Sequence, residues 1–260
     1  MCTGRVRIRI NAESALARMF INHNATAPRP PGNFMNRRTC WRHVVWIIAS
    51  LPLVTMAVPD ANNEFLAAER LKPDVAHGAD LFETCAACHG PDGGGASDGS
   101  VPAIAGQHFR VLVKQLVDFR HDRRWDIRME HFTDRHRLAG PQELTDLAAY
   151  IESLPPTGNK GYGDGENVAH GARVYFNLCA SCHGPTGAGD AASLVPRLAG
   201  QHFAYLERQM YDAVDGRRPN MAGDHARRLS RLDREDILGV ADYLSRLLPQ
   251  AQQQNGPGRP

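Results

Sequence analysis

A block of this sequence occurs twice, and the duplication limits what the chain can fold into more than any other feature. The stretch from Gly78 to Pro91, which contains Cys85-Ala-Ala-Cys88-His89-Gly90-Pro91, returns from Gly171 as Cys179-Ala-Ser-Cys182-His183-Gly184-Pro185. Val101-Pro102-Ala-Ile-Ala-Gly106-Gln107-His108-Phe109 returns as Val195-Pro196-Arg-Leu-Ala-Gly200-Gln201-His202-Phe203, at the same offset of 94 that separates Cys85 from Cys179. A period of roughly 90 residues is far too long for a solenoid unit, so each copy reads as a small domain of its own.

Each copy contains three helical stretches. One runs into the cysteines, over about 77–85 and 170–179. A second begins at Phe109 or Phe203. Phe109, Leu112, Leu116 and Phe119 recur there at helical spacing, as do Phe203, Leu206 and Met210. A third follows Pro141, a good first-turn residue, in copy one and Asp233, a good N-cap, in copy two. These run to Leu154 and Leu248. No stretch alternates over a strand's length, so the expected class is all-α with almost no strand. His108 and His202, just ahead of the second helices, read as helix caps.

The repeated motif is Cys-x-x-Cys-His. Two thiols at that spacing can add across the two vinyl groups of one porphyrin, and the next residue projects an imidazole at the iron. A zinc site would need further Cys or His ligands at matching spacing, and neither copy has a second Cys pair. A redox dithiol would sit in an α/β pattern, which is lacking. Two disulfides would leave the following histidines unexplained. The reading is two covalently attached haem c groups, bound by Cys85 and Cys88 and by Cys179 and Cys182, with His89 and His183 as iron ligands. Aromatic residues make up only 7% of the chain, and a haem would supply the large flat core element such small domains lack.

A sixth ligand to each iron must come from elsewhere. Beyond the leader there are three methionines, Met129, Met210 and Met221. Met129 and Met221 lie 21 and 22 residues before Tyr150 and Tyr243 and occupy matching places. Met210 falls inside a helix and reads as core. A thioether is a soft ligand that raises the potential of the iron, and Met221 follows Arg217-Arg-Pro-Asn in an irregular loop. Met129 has His131 and His136 as neighbours, both read as exposed and unliganded.

These motifs resemble those of the class I cytochromes c, and the tandem arrangement is similar to the dihaem cytochrome c4 group. The likeness covers residues 75–248 and rests on Cys-x-x-Cys-His-Gly, Pro-x-x-x-Gly-Gln, a loop methionine and a closing helix with Ala-x-Tyr. The resemblance implies two domains of a few helices wrapped around one haem each. It also implies that a proline carbonyl, here Pro102 for His89 and Pro196 for His183, accepts a hydrogen bond from the other nitrogen of the axial histidine. One departure is Arg128, where family members often have proline ahead of the first methionine.

Charge divides along the chain. Residues 1–57 hold eight arginines and one acid, while the remainder holds 22 Lys and Arg against 27 Asp and Glu. The working part is mildly acidic, which argues against nucleic acid as a partner. Arg37, Arg38, Arg42 and His43 precede an apolar run over 44–54 and a small-residue site at Thr55-Met56-Ala57, the layout of a secretory signal. The run is shorter than the roughly 20 residues of a membrane span, although an uncleaved signal would serve as an anchor. Met35 reads as the true start. The expected organisation is a leader over 1–57, domains over 58–156 and 157–248, and a disordered Gln-, Gly- and Pro-rich tail over 249–260.

Arg120, Arg123, Arg124 and Arg128, echoed by Arg217 and Arg218, leave three readings open: a solvated face, pairing with haem propionates, or steering of an acidic partner. Functionally, two six-coordinate haems leave no open iron for substrate. The expectation is an exported, periplasmic electron carrier and not an enzyme, without a small-molecule substrate, either soluble or associated with the membrane. The resemblance implies redox proteins as partners, with a quinol-oxidising complex as donor and a terminal oxidase or reductase as acceptor. The alternatives are an electron-accepting subunit of a periplasmic dehydrogenase and a dihaem peroxidase.

Overall fold

In a computed structural model of the chain, the described residues are 60–157 and 161–249. The leader, the tail from 250 on and part of the inter-repeat linker lie outside them. Within them the chain is helical, and an isolated bridge between Asp190 and Val195 is the sole β pairing among the described residues.

The first half holds α1 (Ala61–Arg70), α2 (Val75–His89), α3 (Phe109–Arg120), α4 (Ile127–Thr133) and α5 (Pro141–Ser153). The second holds α6 (Val168–Leu178), α7 (Ala180–His183), α8 (Phe203–Val214), α9 (Gly223–Leu229) and α10 (Arg234–Arg246). The three expected helices per copy are present; the second and third start where the sequence indicates, and the first start two residues earlier, at Val75 and Val168. Pro141 opens α5, and Asp233 caps α10 with its carboxylate on the Asp236 N–H, in a reciprocal capping box. The copies differ at the motif. In the first, α2 continues unbroken through both cysteines to His89. In the second the helix stops at Leu178 and resumes after Cys179 as one short turn.

The halves share one packing plan. The first helix of each copy crosses the last, α2 on α5 and α6 on α10. A glycine sits at each crossing, because a Cβ on Gly171 would lie 1.9 Å from the Gly239 carbonyl oxygen and one on Gly78 would lie 2.1 Å from that of Asp146. Around the first crossing Phe82, Phe109, Val113, Val117, Leu144, Leu147 and Ile151 form a buried core. The second core is smaller and is built on Tyr175, Leu206, Val240, Ala241 and Leu244. Tyr175 is fully buried there, its hydroxyl donating to the Gly184 carbonyl at 2.5 Å.

The first core is larger partly because α1 covers it, burying Ala61 and Ala68. This helix is anchored by Glu64, a buried carboxylate bound by Arg120 (2.5 Å), His121 (2.7 Å) and Arg135 (3.1 Å). Arg120 also donates to the carbonyls of Thr133 and Leu138, so one guanidinium ties α1, α3 and the end of α4 together. Its side chain is only 3% exposed, so for Arg120 the reading as part of a solvated face is incorrect.

The two halves form one compact unit, and their seam is bonded nearly symmetrically. The Gln107 amide accepts from the Arg197 N–H (2.9 Å) and donates to the Arg197 carbonyl (3.0 Å). Gln201 does the same with Ala103, at 3.0 and 2.7 Å. His108 donates through Nε2 to the Ala188 carbonyl, and His202 to that of Gly94, each at 2.8 Å. Both histidines stand at the N-caps of α3 and α8, but neither side chain caps its helix. They bridge the seam instead. Arg124 adds bonds to Tyr205 (2.6 Å) and Gln209 (2.7 Å), and Asn220 donates to Asp118 at 2.8 Å.

Candidate functional site

Each Cys-x-x-Cys-His stretch sits at the end of a helix, so its cysteines and histidine project within about one turn of one another. Each pair stands as two unbridged thiols, Cys85 and Cys179 half-buried and Cys88 and Cys182 exposed. Burial, and secondarily the neighbouring cysteine, pushes the Cys85 and Cys179 thiols up to about 11. A redox dithiol or a metal-binding thiolate needs the opposite shift. Among the described residues no group of three or more His, Cys, Asp and Glu side chains could hold a metal ion.

His89 and His183 are buried. The Nδ1–H of His89 donates to the Pro102 carbonyl at 3.0 Å, and that of His183 to the Pro196 carbonyl at 3.2 Å. A carbonyl can only accept, so Nδ1 carries the proton and Nε2 presents its lone pair, the form an iron ligand needs. Burial holds both imidazoles below the ordinary histidine range, against the opposing effect of these hydrogen bonds.

The bracket around each histidine closes with a residue that motif reading passed over. The N–H groups of Gly95 and Gly189 donate to the carbonyls of His89 and His183, at 2.7 and 2.9 Å. Both glycines have positive φ, and a Cβ on either would lie 2.5 Å from the carbonyl of Pro102 or Pro196. Their equal offset of 94 was the available signal.

The sixth-ligand candidates are placed differently in the two halves. Met129 lies not in a loop but on α4, whose start is fixed by Asp126 accepting from the Arg128 and Met129 N–H groups. It packs against the first core with Cys85 and Ile104. Met221 lies in irregular chain two residues ahead of α9, its N–H donating to the Arg218 carbonyl at 3.0 Å. The methionine that packs against the second core is Met210, as its helical position indicates. His131 and His136 are exposed, His136 almost completely. In the second half a histidine not singled out by sequence stands close: the His225 ring on α9 is centred 6.1 Å from that of His183. Burial, and secondarily Arg218, lowers the His225 pKa.

Two thiols on one turn, a buried imidazole with its lone pair fixed at Nε2, and glycines that leave room around it form a donor set suited to a covalently bound haem. The cytochrome c family pattern matches the chain twice, over residues 75–155 and 168–248. The chain belongs to the cytochrome c family, in its tandem c4-like form. It is 33% identical over 193 residues to a cytochrome c4 of Azotobacter vinelandii, spanning 67% of this chain and 89% of that one. The crystal structure of reduced cytochrome c4 from Pseudomonas stutzeri superposes with a TM-score of 0.59 at 29% identity, over 68% of this chain and all of that one. A thiosulfate dehydrogenase electron acceptor of Stutzerimonas stutzeri is 32% identical over 171 residues, or 62% of this chain and 77% of that protein. This cytochrome therefore carries two covalently attached haem c groups and works in electron transfer with redox protein partners.

Proposed function

We propose that this cytochrome shuttles single electrons in the periplasm between a quinol-oxidising complex and a terminal oxidase or reductase, without a substrate of its own. In this reading Cys85 and Cys88 hold the first haem and Cys179 and Cys182 the second. His89 and Met129 would ligate the first iron, and His183 and Met221 the second. The haem supplies the one-electron chemistry when bound. The chain's part is to hold the imidazoles neutral and aligned through Pro102 and Pro196, and to keep the two haem-bearing halves, over 58–156 and 157–248, bonded along one seam. The leader over 1–57 directs export. Among the described residues no helix is long and apolar enough to cross a membrane.

The observation that carries this reading is the matched pair of histidine–proline hydrogen bonds, one in each half, directly behind the paired cysteines. The test is a spectroelectrochemical titration that follows the weak far-red band of methionine-bound ferric haem. Two high-potential haems, with bands that vanish on reduction and depend separately on Met129 and Met221, support it. A high-spin or low-potential haem overturns the methionine assignment for that half and brings an enzymatic role forward.

A second reading is an electron acceptor dedicated to one dehydrogenase, favoured by the similarity to the thiosulfate dehydrogenase electron acceptor. Rapid reduction by a thiosulfate-oxidising dehydrogenase but not by a quinol-oxidising complex would select it.

A further inference from the structure

The two halves repeat one plan, yet the chain ahead of their motifs differs in length. The crossing glycines Gly78 and Gly171 are 93 positions apart, as are Tyr150 and Tyr243, whereas Cys85 and Cys179 are 94 apart. Residues 79–84 join glycine to cysteine in the first half and residues 172–178 in the second, so the second half carries one residue more. On a helix of 3.6 residues per turn, one extra residue rotates everything after it by about 100°. An unbroken helix could not keep both the crossing glycine and the motif on their required sides. The second half resolves the conflict by ending α6 at Leu178 and resuming as α7 at Ala180, with Cys179 between them.

The break removes support from His183. His89 ends α2, a helix of 15 residues, whereas His183 ends α7, a helix of four, and a single turn holds itself poorly. The turn that follows is also longer-bonded. The Gly93 N–H donates to the Gly90 carbonyl at 3.0 Å, and the Gly187 N–H to the Gly184 carbonyl at 3.3 Å.

Tyr175 stands where it can supply what is lost. At the offset of 93 it takes the place of Phe82, and the rings pack alike: Phe82 is centred 5.3 Å from Tyr150, and Tyr175 5.4 Å from Tyr243. Phe82 stops at its ring. Tyr175 extends to donate its hydroxyl at 2.5 Å to the carbonyl of Gly184, the residue directly after His183. The side chain is fully buried, and burial pushes its hydroxyl up to about 12, so it stays a donor at any ordinary pH.

We propose that Tyr175 is a positioning residue for the C-terminal haem, its hydroxyl on the Gly184 carbonyl fixing the orientation of His183 in the half where the helix behind that histidine is broken. The inference rests on the reading of His183 as an iron ligand. The His183–Gly184 segment is held at three points: by the Gly189 N–H on the His183 carbonyl at 2.9 Å, by Tyr175, and by the Pro196 carbonyl on the ring at 3.2 Å. Without the hydroxyl the ring turns away from Pro196. The Nδ1–H bond to that carbonyl makes the imidazole a more basic ligand, which favours ferric iron, so weakening it raises the midpoint potential. The N-terminal haem, behind an unbroken α2 and Phe82, has no such dependence.

The experiment compares the full-length holoprotein with Tyr175→Phe, which removes the hydroxyl alone, and with a second variant carrying 4-aminophenylalanine at position 175, which restores a donor on the same ring. Haem-resolved redox titration gives the midpoints, and proton NMR of the ferric proteins gives the haem methyl shifts, which follow the plane of the bound imidazole. The expected result for Tyr175→Phe is a raised midpoint and altered methyl shifts at the C-terminal haem alone, both returned towards the original by the amino variant. A loss of stability with both readouts unchanged makes Tyr175 merely structural and overturns the proposal, as do equal changes at both haems. A C-terminal haem without bound histidine in the unaltered protein overturns the ligand reading beneath it as well. Should Tyr175→Phe not accumulate with two haems, the amino variant decides: two haems with the original midpoints support the proposal, and failure to accumulate or a shifted C-terminal midpoint overturns it.

Discussion

Gln201 holds both main-chain polar groups of Ala103, accepting its N–H at 3.0 Å and donating to its carbonyl at 2.7 Å. Ala103 directly follows Pro102, the residue whose carbonyl orients His89. A side chain of the second half thus braces the His89–Pro102 bracket of the first. Gln107 returns the arrangement on Arg197, next to Pro196.

Replacing either glutamine by leucine should leave a backbone donor and acceptor unpaired, at about 1–3 kcal/mol each way. The more specific expectation concerns potentials. Gln201→Leu should move the midpoint of the N-terminal haem more than that of the C-terminal haem, and Gln107→Leu the reverse. Haem-resolved redox titration of the two variants checks this, and equal shifts of both haems would refute it.

Glu64 should be the most costly single carboxylate to remove. Its loss leaves Arg120, almost wholly buried, without its main anionic partner, and unpairing a buried ion pair in this way costs about 3–5 kcal/mol. Glu64→Ala should therefore lower the denaturant midpoint markedly and release α1. A change below about 1 kcal/mol would show that α1 contributes little to the fold.

Gly189 has no room for a side chain, and its positive φ strains any other residue. Gly189→Ala should displace the Pro196 carbonyl from His183 and lower haem content or low-spin character in the C-terminal half alone. The pyridine haemochrome yield per chain and the ferric spin state measure it. Gly95→Ala should do the same to the N-terminal half.

His77 gives a pH-dependent contribution. Its Nδ1 lies 2.9 Å from the buried Asp146 carboxylate, and this hydrogen bond raises its pKa above the usual 6.5. A raised folded-state pKa means the contribution is complete below the unfolded value and is lost as pH climbs through the folded one. Stability of the unaltered protein should fall between about pH 6 and about pH 8 by more than that of His77→Asn. Denaturant midpoints at the two pH values provide the comparison, and parallel changes in both proteins would remove His77 from the account.

Much of the local architecture was legible because it is encoded at short range. Apolar spacing from Phe109 and Phe203 marked α3 and α8, and Pro141 and Asp233 marked the starts of α5 and α10. The short helices α4 and α9 were not legible, since seven residues are too few to show a period. Met129 accordingly reads as a loop residue although it sits on α4. α1 escaped notice because it lies outside the repeat.

The sequence by itself determined the chemistry of this protein. Cys-x-x-Cys-His is a covalent geometry written within five consecutive positions, and its recurrence at a constant offset specifies two haems in two like domains. The tertiary structure decided which distant residues meet: Gln201 with Ala103, His108 with Ala188, Glu64 with Arg120 and His225 with His183. These partners are about 40 to 100 positions apart in the chain, where no periodicity or fixed spacing links one residue to another. Only the path of the packed backbone brings them within reach. For that reason the two copies, alike in motif, surround His89 and His183 differently.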